Sequence, residues 1–326
     1  MKDKISYQSA NVLPVKVIYD TKLTNTMLYA GKVLPRVLQI TPTNRCDLAC
    51  KYCCCSEVDR KQELEWRELK EIVDIAKKLD VQAIVITGGG EPMLHKDIIK
   101  LIDYIDSKHI KVSLITNGNH FKDGMQETLS KLQWCRISFD DDRKITEKYK
   151  QTLEIASQLE NVNFSFSYLY KGNTESDFLN IMDFVNSHDN FSHVRVINDS
   201  LSEDYINTLE AKEYLEENGV DTAKCFFKLQ QEYYRGQEKC YMSLAKPRIT
   251  ASGDIYPCCA IQYQKANGLK KYNKRFSMGH YTQLEEVVEK QAFFDGRICD
   301  HCYYENYNRF LGFYMEPEKI TDKEFI

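Results

Sequence analysis

Three cysteines in the stretch TPTNRCDLACKYCCC carry the most specific chemistry in the sequence. Cys46, Cys50 and Cys53 are spaced Cys-x3-Cys-x2-Cys. Thiolates this close together are soft ligands for iron or zinc. A structural zinc site generally closes with four protein ligands, and here the fourth would have to be Cys54, Cys55 or a distant residue. Three thiolates instead suit three irons of a four-iron, four-sulfur cluster, which leaves the fourth iron open to a ligand. A second set comprises Cys240, Cys258, Cys299 and Cys302, with a 40-residue gap before its final Cys-x2-Cys pair. Four thiolates close a tetrahedral zinc site or fully ligate an iron–sulfur cluster, and spacing does not separate the two.

Both sets need elements to position them. Between about Leu34 and Asn198 short β-rich runs alternate with amphipathic helical stretches. The runs are 37–41, 83–87, 111–116, 135–139, 163–169 and 193–197. The helical segments between them place apolar residues three and four apart, as at Leu69, Ile72, Val73 and Ala76. Six βα units in succession imply a parallel sheet with helices outside, curling by right-handed crossovers into an α/β partial (β/α)6 TIM-like barrel. Chemistry in such barrels sits at the carboxyl ends of the strands, and the first cysteine set directly follows the first run. Residues 1–33 precede the barrel as an N-terminal extension, 34–200 form it, 201–219 read as a linking helix capped by Gly219, and 220–326 read as a smaller metal-bearing module. That module contains the hairpin-like PRITASGDIYPC.

Composition narrows the setting. The chain has 326 residues, 43% hydrophobic and 28% charged, with a formal charge of −4. Such a balance fits a globular protein and lacks the basic excess usual in nucleic-acid binders. No apolar run approaches the roughly 18 residues of a membrane helix, and the start has no apolar stretch of signal-peptide length. A cytoplasmic setting is therefore expected, in which the 12 cysteines are metal ligands or redox groups rather than disulfides.

The cysteine loop, with Tyr52 beside its third cysteine, and the strand-end turn TGGGEP (87–92) together resemble the radical SAM superfamily. The resemblance implies a [4Fe-4S] cluster on Cys46, Cys50 and Cys53 that reductively cleaves S-adenosylmethionine to a 5′-deoxyadenosyl radical, which takes hydrogen from a substrate. It aligns Gly89, Gly90, Glu91 and Pro92 with the motif for the methionyl amine, leaving Gly88 as an extra glycine. It also likens Thr116 and Asn117 at the third strand end, and Ser138 and Asp140 at the fourth, to positions that hold the ribose and carboxylate. GDIYPC and the late Cys-x2-Cys pair are similar to SPASM and twitch extensions, which carry auxiliary [4Fe-4S] clusters. No cysteine follows Cys302, so the shorter twitch form with one auxiliary cluster fits better. Its spacing is similar to that of the 2-deoxy-scyllo-inosamine dehydrogenases, which oxidise an alcohol.

The resemblance makes the chain an oxidoreductase served by a flavodoxin- or ferredoxin-type reductant, with the auxiliary cluster taking the second electron. The rivals are a redox-neutral epimerase or isomerase, a peptide-modifying maturase, and a non-catalytic Fe–S or zinc-binding protein. The substrate is a small molecule or a peptide. Cys54, Cys55, Cys135, Cys225 and Cys259 remain, as buried thiols by default, with Cys225 and Cys259 as candidate hydrogen donors to a substrate radical. Arg195 on the sixth strand is either a substrate ligand or an ion-pair partner. Lys265, Lys270, Lys271, Lys274 and Arg275 form a basic segment that reads first as solvated loop. Trp66 and Trp134 read as core residues.

Overall fold

The computed structural model of the chain describes residues 13–172, 177–199, 208–227, 234–264 and 271–319. Its centre is one sheet of nine strands: β1 (Val37–Ile40), β2 (Ala83–Ile86), β3 (Lys111–Thr116), β4 (Leu132–Asp140), β5 (Asn163–Leu169), β6 (Phe191–Ile197), β7 (Cys225–Phe227), β8 (Arg248–Ile249) and β9 (Ile255–Tyr256). The order is β7-β6-β5-β4-β3-β2-β1-β8-β9, all parallel except the β8–β9 pair. The two edges do not meet, so the sheet is a partial, open barrel.

Two helices precede it, α1 (Leu13–Tyr19) and α2 (Thr21–Ala30). The crossover helices α3 (Trp66–Lys78), α4 (Ile98–Ser107), α5 (Gln126–Leu129), α6 (Glu147–Gln158) and α7 (Phe178–Ser187) cover its outer face. α3 shows why these segments fold as they do. Glu68 accepts from the Glu65 N–H at 2.7 Å, satisfying a first-turn donor, and Lys77 and Lys78 oppose the negative end of the helix. Leu69, Ile72, Val73 and Ala76 are all fully buried, as their spacing predicts. Each large aliphatic among them contributes about 1.5–3 kcal/mol of burial. Opposite them, Leu38, Ile84, Leu114, Ile137, Phe166 and Val196 carry the sheet's half of the core.

Beyond the barrel run α8 (Thr208–Glu217), α9 (Met242–Ala245), α10 (Leu284–Glu289) and α11 (Glu305–Met315). Gly219 follows α8 with φ +72°, the left-handed conformation expected of its cap. The linking-helix residues before Thr208 and the basic residues Lys265 and Lys270 lie outside the described residues.

The structure departs from expectation in two places and adds detail in two more. The sheet does not stop at six strands: Cys225–Phe227 pairs with β6, and Arg248–Ile249 pairs in parallel with β1. A boundary at residue 220 therefore cuts through hydrogen-bonded strands, because strands of two and three residues carry too little periodicity to read. The first 33 residues include α1 and α2, and both touch α11. α5 is a single turn. Trp66 and Trp134 are only half-buried, Trp66 against Tyr104 and Trp134 5.5 Å from the Arg136 guanidinium. No helix of the described residues is long and apolar enough to cross a membrane.

Candidate functional site

The loop that follows β1 is closed at its base by a bridge between Thr43 and Glu63, with Asn44 N–H donating to Gln62 O at 3.0 Å. Within it, Cys53 N–H donates to Cys50 O at 3.1 Å, a turn that places those two cysteines side by side. Cys46 lines an open cleft of about 470 Å³ with Arg45, Asp47, Arg60 and Leu94. Arg60 stands close enough to Cys46 and to Cys53 to favour both thiolates against the burial that raises them. Arg60 also donates to Asn44 O at 3.1 Å and to Gly89 O at 2.9 Å, tying the loop to the glycine turn after β2.

That turn lies directly on the loop. Gly90 N–H donates to Thr43 O at 3.2 Å and Glu91 N–H to Arg45 O at 2.7 Å. A Cβ at Gly90 would sit 2.0 Å from Arg45 O, and one at Gly89 would sit 2.1 Å from Asn44 Oδ1. Glycine is required at 90 by close backbone approach rather than by φ, and at 89 by the buried Asn44 side chain. The extra glycine, Gly88, offers its carbonyl to Arg248 at 2.7 Å.

The next two strand ends are joined to the same loop. Glu91 is buried, and its carboxylate accepts from Thr116 Oγ1 at 2.7 Å, Asn117 N–H at 2.6 Å and Met93 N–H at 3.0 Å. Burial raises its pKa against those three bonds. Asn117 Nδ2 donates to Asp47 at 2.7 Å, and Arg143 donates to Ser138 O at 2.6 Å and Asn117 O at 2.8 Å. The Tyr52 hydroxyl donates to Asp140, and Lys171 lies 5.1 Å over the Tyr52 ring. Pro92 opens the short 3-10 turn that follows Glu91. The residues likened to contacts for S-adenosylmethionine thus fall with the cysteine loop in one connected region at the carboxyl ends of β1 to β4. Asp47, Arg60, Arg143 and Arg248 join it without any motif signal.

Cys240, Cys258, Cys299 and Cys302 line one small, tightly packed cavity together with Gln264, His301, Tyr304 and Asn308. Burial, followed by the neighbouring thiols, pushes Cys240 and Cys299 up to about 12. Charge on these sulfurs therefore needs a bound cationic group. Asn308 on α11 donates to Cys240 Sγ at 3.7 Å and Cys302 Sγ at 3.6 Å. Among the described residues no three His, Cys, Asp or Glu side chains are grouped tightly enough for a single metal ion.

The spare cysteines divide by position. Cys135 is fully buried on the helix-facing side of β4. Cys225 packs 3.4 Å from the Met182 sulfur of α7, on the same outer face, so as a hydrogen donor it points away from the barrel interior. Cys259 lies 3.0 Å from the Tyr304 hydroxyl. Cys54 and Cys55 have their sulfurs 3.9 Å apart, and Gln262 Nε2 donates to Cys54 at 3.5 Å. Lys274 and Arg275 are exposed, as a solvated loop requires.

Residues 40–185 match the radical SAM superfamily. A GTP 3′,8-cyclase from Syntrophomonas wolfei is 33% identical over 119 residues, 35% of this chain and 36% of the cyclase. Crystal structures share the fold at low identity. Streptococcus suis SuiB bound to S-adenosylmethionine superposes with a TM-score of 0.55 at 19% identity, over 75% of this chain and 65% of SuiB. Native anSMEcpe with bound AdoMet and Kp18Cys peptide gives 0.54 at 16%, over 87% of this chain and 98% of that one. The chain spans about a third of the length of the curated relatives it matches. Residues 40–185 are therefore a radical SAM domain, of a family that uses a [4Fe-4S] cluster and S-adenosylmethionine. The rest of the chain shares with these structures only the open α/β barrel fold.

Proposed function

We propose that the chain is a radical SAM oxidoreductase that removes two electrons from its substrate, with Cys46, Cys50 and Cys53 holding the [4Fe-4S] cluster and Cys240, Cys258, Cys299 and Cys302 holding one auxiliary [4Fe-4S] cluster. When bound, the first cluster and S-adenosylmethionine supply a 5′-deoxyadenosyl radical, and the second cluster supplies an acceptor for the electron left on the substrate. The protein's own part is positioning. Arg60 and the side-chain-free turn at Gly89 and Gly90 hold the cysteine loop against the strand ends. Glu91 clamps the end of β2 to Thr116 and Asn117, while Tyr52 and Asp140 close the loop over β4. S-adenosylmethionine would be held along this row, by Tyr52, Gly89, Gly90, Glu91, Pro92, Thr116, Asn117, Ser138 and Asp140. Residues 220–326 supply the auxiliary module, and a flavodoxin- or ferredoxin-type protein supplies the electron.

One observation carries this reading: a second set of four thiols lines a single cavity, next to a barrel whose strand ends are bound to the first. Peptide modification is the second reading, favoured by the shared fold with SuiB, whose complex holds the precursor peptide SuiA. The test is anaerobic reconstitution with iron and sulfide, then dithionite and S-adenosylmethionine, with 5′-deoxyadenosine measured by mass spectrometry. Wild type forms the nucleoside. The C46A/C50A/C53A variant forms none and keeps roughly four irons on the auxiliary set. Nucleoside production by that variant, or stoichiometric zinc in place of iron in wild type, refutes the assignment.

A further inference from the structure

The two faces of the sheet differ in chemistry. The face toward the helices is apolar, as Tyr168 stacked on Phe178 of α7 at 3.9 Å and Phe139 against Tyr149 of α6 at 4.8 Å show. On the other, concave face the registers line up polar rungs across the strands. Arg136 lies beside Ser165 and then His193, and one rung nearer the carboxyl ends Ser138 lies beside Ser167, Arg195 and Phe226. A barrel interior that is simply a packed core is filled by branched apolar side chains. Serine, arginine and histidine in those positions make it a lined site instead, since buried polar groups need partners.

Two atoms on this face are buried without a partner among the described residues, Arg195 Nε and Gln39 Oε1. Arg136, which shares its sign, acts on the same neighbouring imidazole as Arg195. Burial, then Arg136 and Arg195, hold the His193 imidazole down at about 4. The carboxylates at the mouth are engaged elsewhere, Asp140 by the Tyr52 hydroxyl and the Asp142 N–H, and Glu91 by Thr116 and Asn117. Arg195 also stands near enough to Tyr304 to favour its phenolate, and Tyr304 follows Cys302 and touches Cys259. Arg195 therefore sits between the barrel strands and the second thiol cavity, where a substrate serving both would lie.

We propose that the concave face binds the substrate through an oxyanion, a carboxylate or phosphate group, taken by Arg195 and approached past Ser138 and Ser167. This rests on the radical reading above and names the substrate class of the same site. A guanidinium presents parallel donors that match two oxygens of such a group. The bound anion also supplies the counter-charge that the described residues do not offer at Arg195.

The test is isothermal titration calorimetry of the iron–sulfur-loaded protein, anaerobic and at low salt, without S-adenosylmethionine. Inorganic pyrophosphate is the ligand in one arm and succinate in the other. At least one binds wild type, and its affinity falls by about tenfold or more in R195Q and partly recovers in R195K. Binding of one arm alone assigns phosphate or carboxylate, and binding of both keeps the shared chemistry. Silence of both arms with wild type, or equal affinity in R195Q, overturns the proposal. Phenylglyoxal labelling of wild type, mapped by mass spectrometry, needs no variant: the bound ion shields Arg195, and unchanged labelling overturns the proposal too. Neither readout uses S-adenosylmethionine, so their failure leaves the radical reading standing, and missing 5′-deoxyadenosine leaves this one.

Discussion

Replacing Gly90 by alanine tests whether the glycine turn sets the position of the cysteine loop. The added Cβ would meet Arg45 O at 2.0 Å, with the Asn44 carbonyl carbon at 2.4 Å. Non-bonded atoms settle at about 3.5 Å or more, so turn and loop must part by roughly 1–1.5 Å. No flexible side chain can absorb this, because both neighbours are backbone atoms of the loop that carries Cys46. Crowding of this kind costs about 1–3 kcal/mol of stability. A shift of about 1 Å in a reacting group costs on the order of 100-fold in rate. The G90A variant is expected to melt several degrees lower, to bind S-adenosylmethionine more weakly by calorimetry, and to form 5′-deoxyadenosine roughly 100-fold more slowly. G124A is the control: Gly124 has φ +87° and nothing within 4 Å of an added Cβ. It should lose about 1 kcal/mol to backbone strain and keep the nucleoside rate. A G90A protein that binds S-adenosylmethionine and turns over within about twofold of wild type would refute the coupling of turn to loop.

Two further outcomes follow from the structure. In N308L the two N–H···S contacts to Cys240 and Cys302 are gone, so the reduced, more negative state of a cluster held there loses stabilisation. Its potential should fall in an EPR-monitored redox titration, and an unchanged potential would count against Asn308 as a partner of that cluster. His193, held at about 4, binds no proton in the folded chain where the unfolded chain, near 6.5, does. Stability is therefore flat above about pH 6.5 and declines as pH drops from there toward 4, by about 2 kcal/mol after allowing for partial solvent screening. Urea midpoints across that window should show this slope in wild type and a shallower one in H193Q; equal slopes would remove His193 as its source.

The parts legible in the sequence are those whose period or spacing is long enough to repeat. Strands β3 and β5 match the expected runs residue for residue because six or seven residues fix their ends. Helices α3, α6 and α7 follow from their apolar spacing for the same reason. Strands β7 and β8, three and two residues long, are set by pairing with β6 and β1 and leave no local pattern. The motif cysteines and glycines were visible because their chemistry is confined to few residue types. Their supports were not. Arg60, Asp47 and Asn308 are ordinary residues of a polar loop or a helix until the chain folds them against a carbonyl, an amide or a sulfur. Cys225 shows the converse: its residue type admitted a radical role, and only the register of β7 shows that it faces α7.

Arg248 shows how the two thiol sets are held relative to each other. Strand β8 docks on β1 through Gln39 N–H to Pro247 O at 3.0 Å and Thr41 N–H to Ile249 O at 2.8 Å. Arg248 is thereby placed in register with Gln39, where it is almost fully buried. Its guanidinium donates to Thr41 Oγ1 at 2.9 Å and to Gly88 O at 2.7 Å, and lies 5.3 Å from the Tyr272 ring. A buried arginine is costly to desolvate, and it persists where hydrogen-bond acceptors, an aromatic face and nearby thiols such as Cys54 are fixed around it. Those partners come from β1, from the glycine turn and from the C-terminal module. Cys240 and Cys258 flank β8 in sequence, so the strand that carries Arg248 also anchors the second cavity to the first strand of the barrel. A site built on strands keeps its geometry more closely than one built on loops. The pairing of β8 with β1 thus ties the chain segment between Cys240 and Cys258 to the strand that leads into the first thiol set.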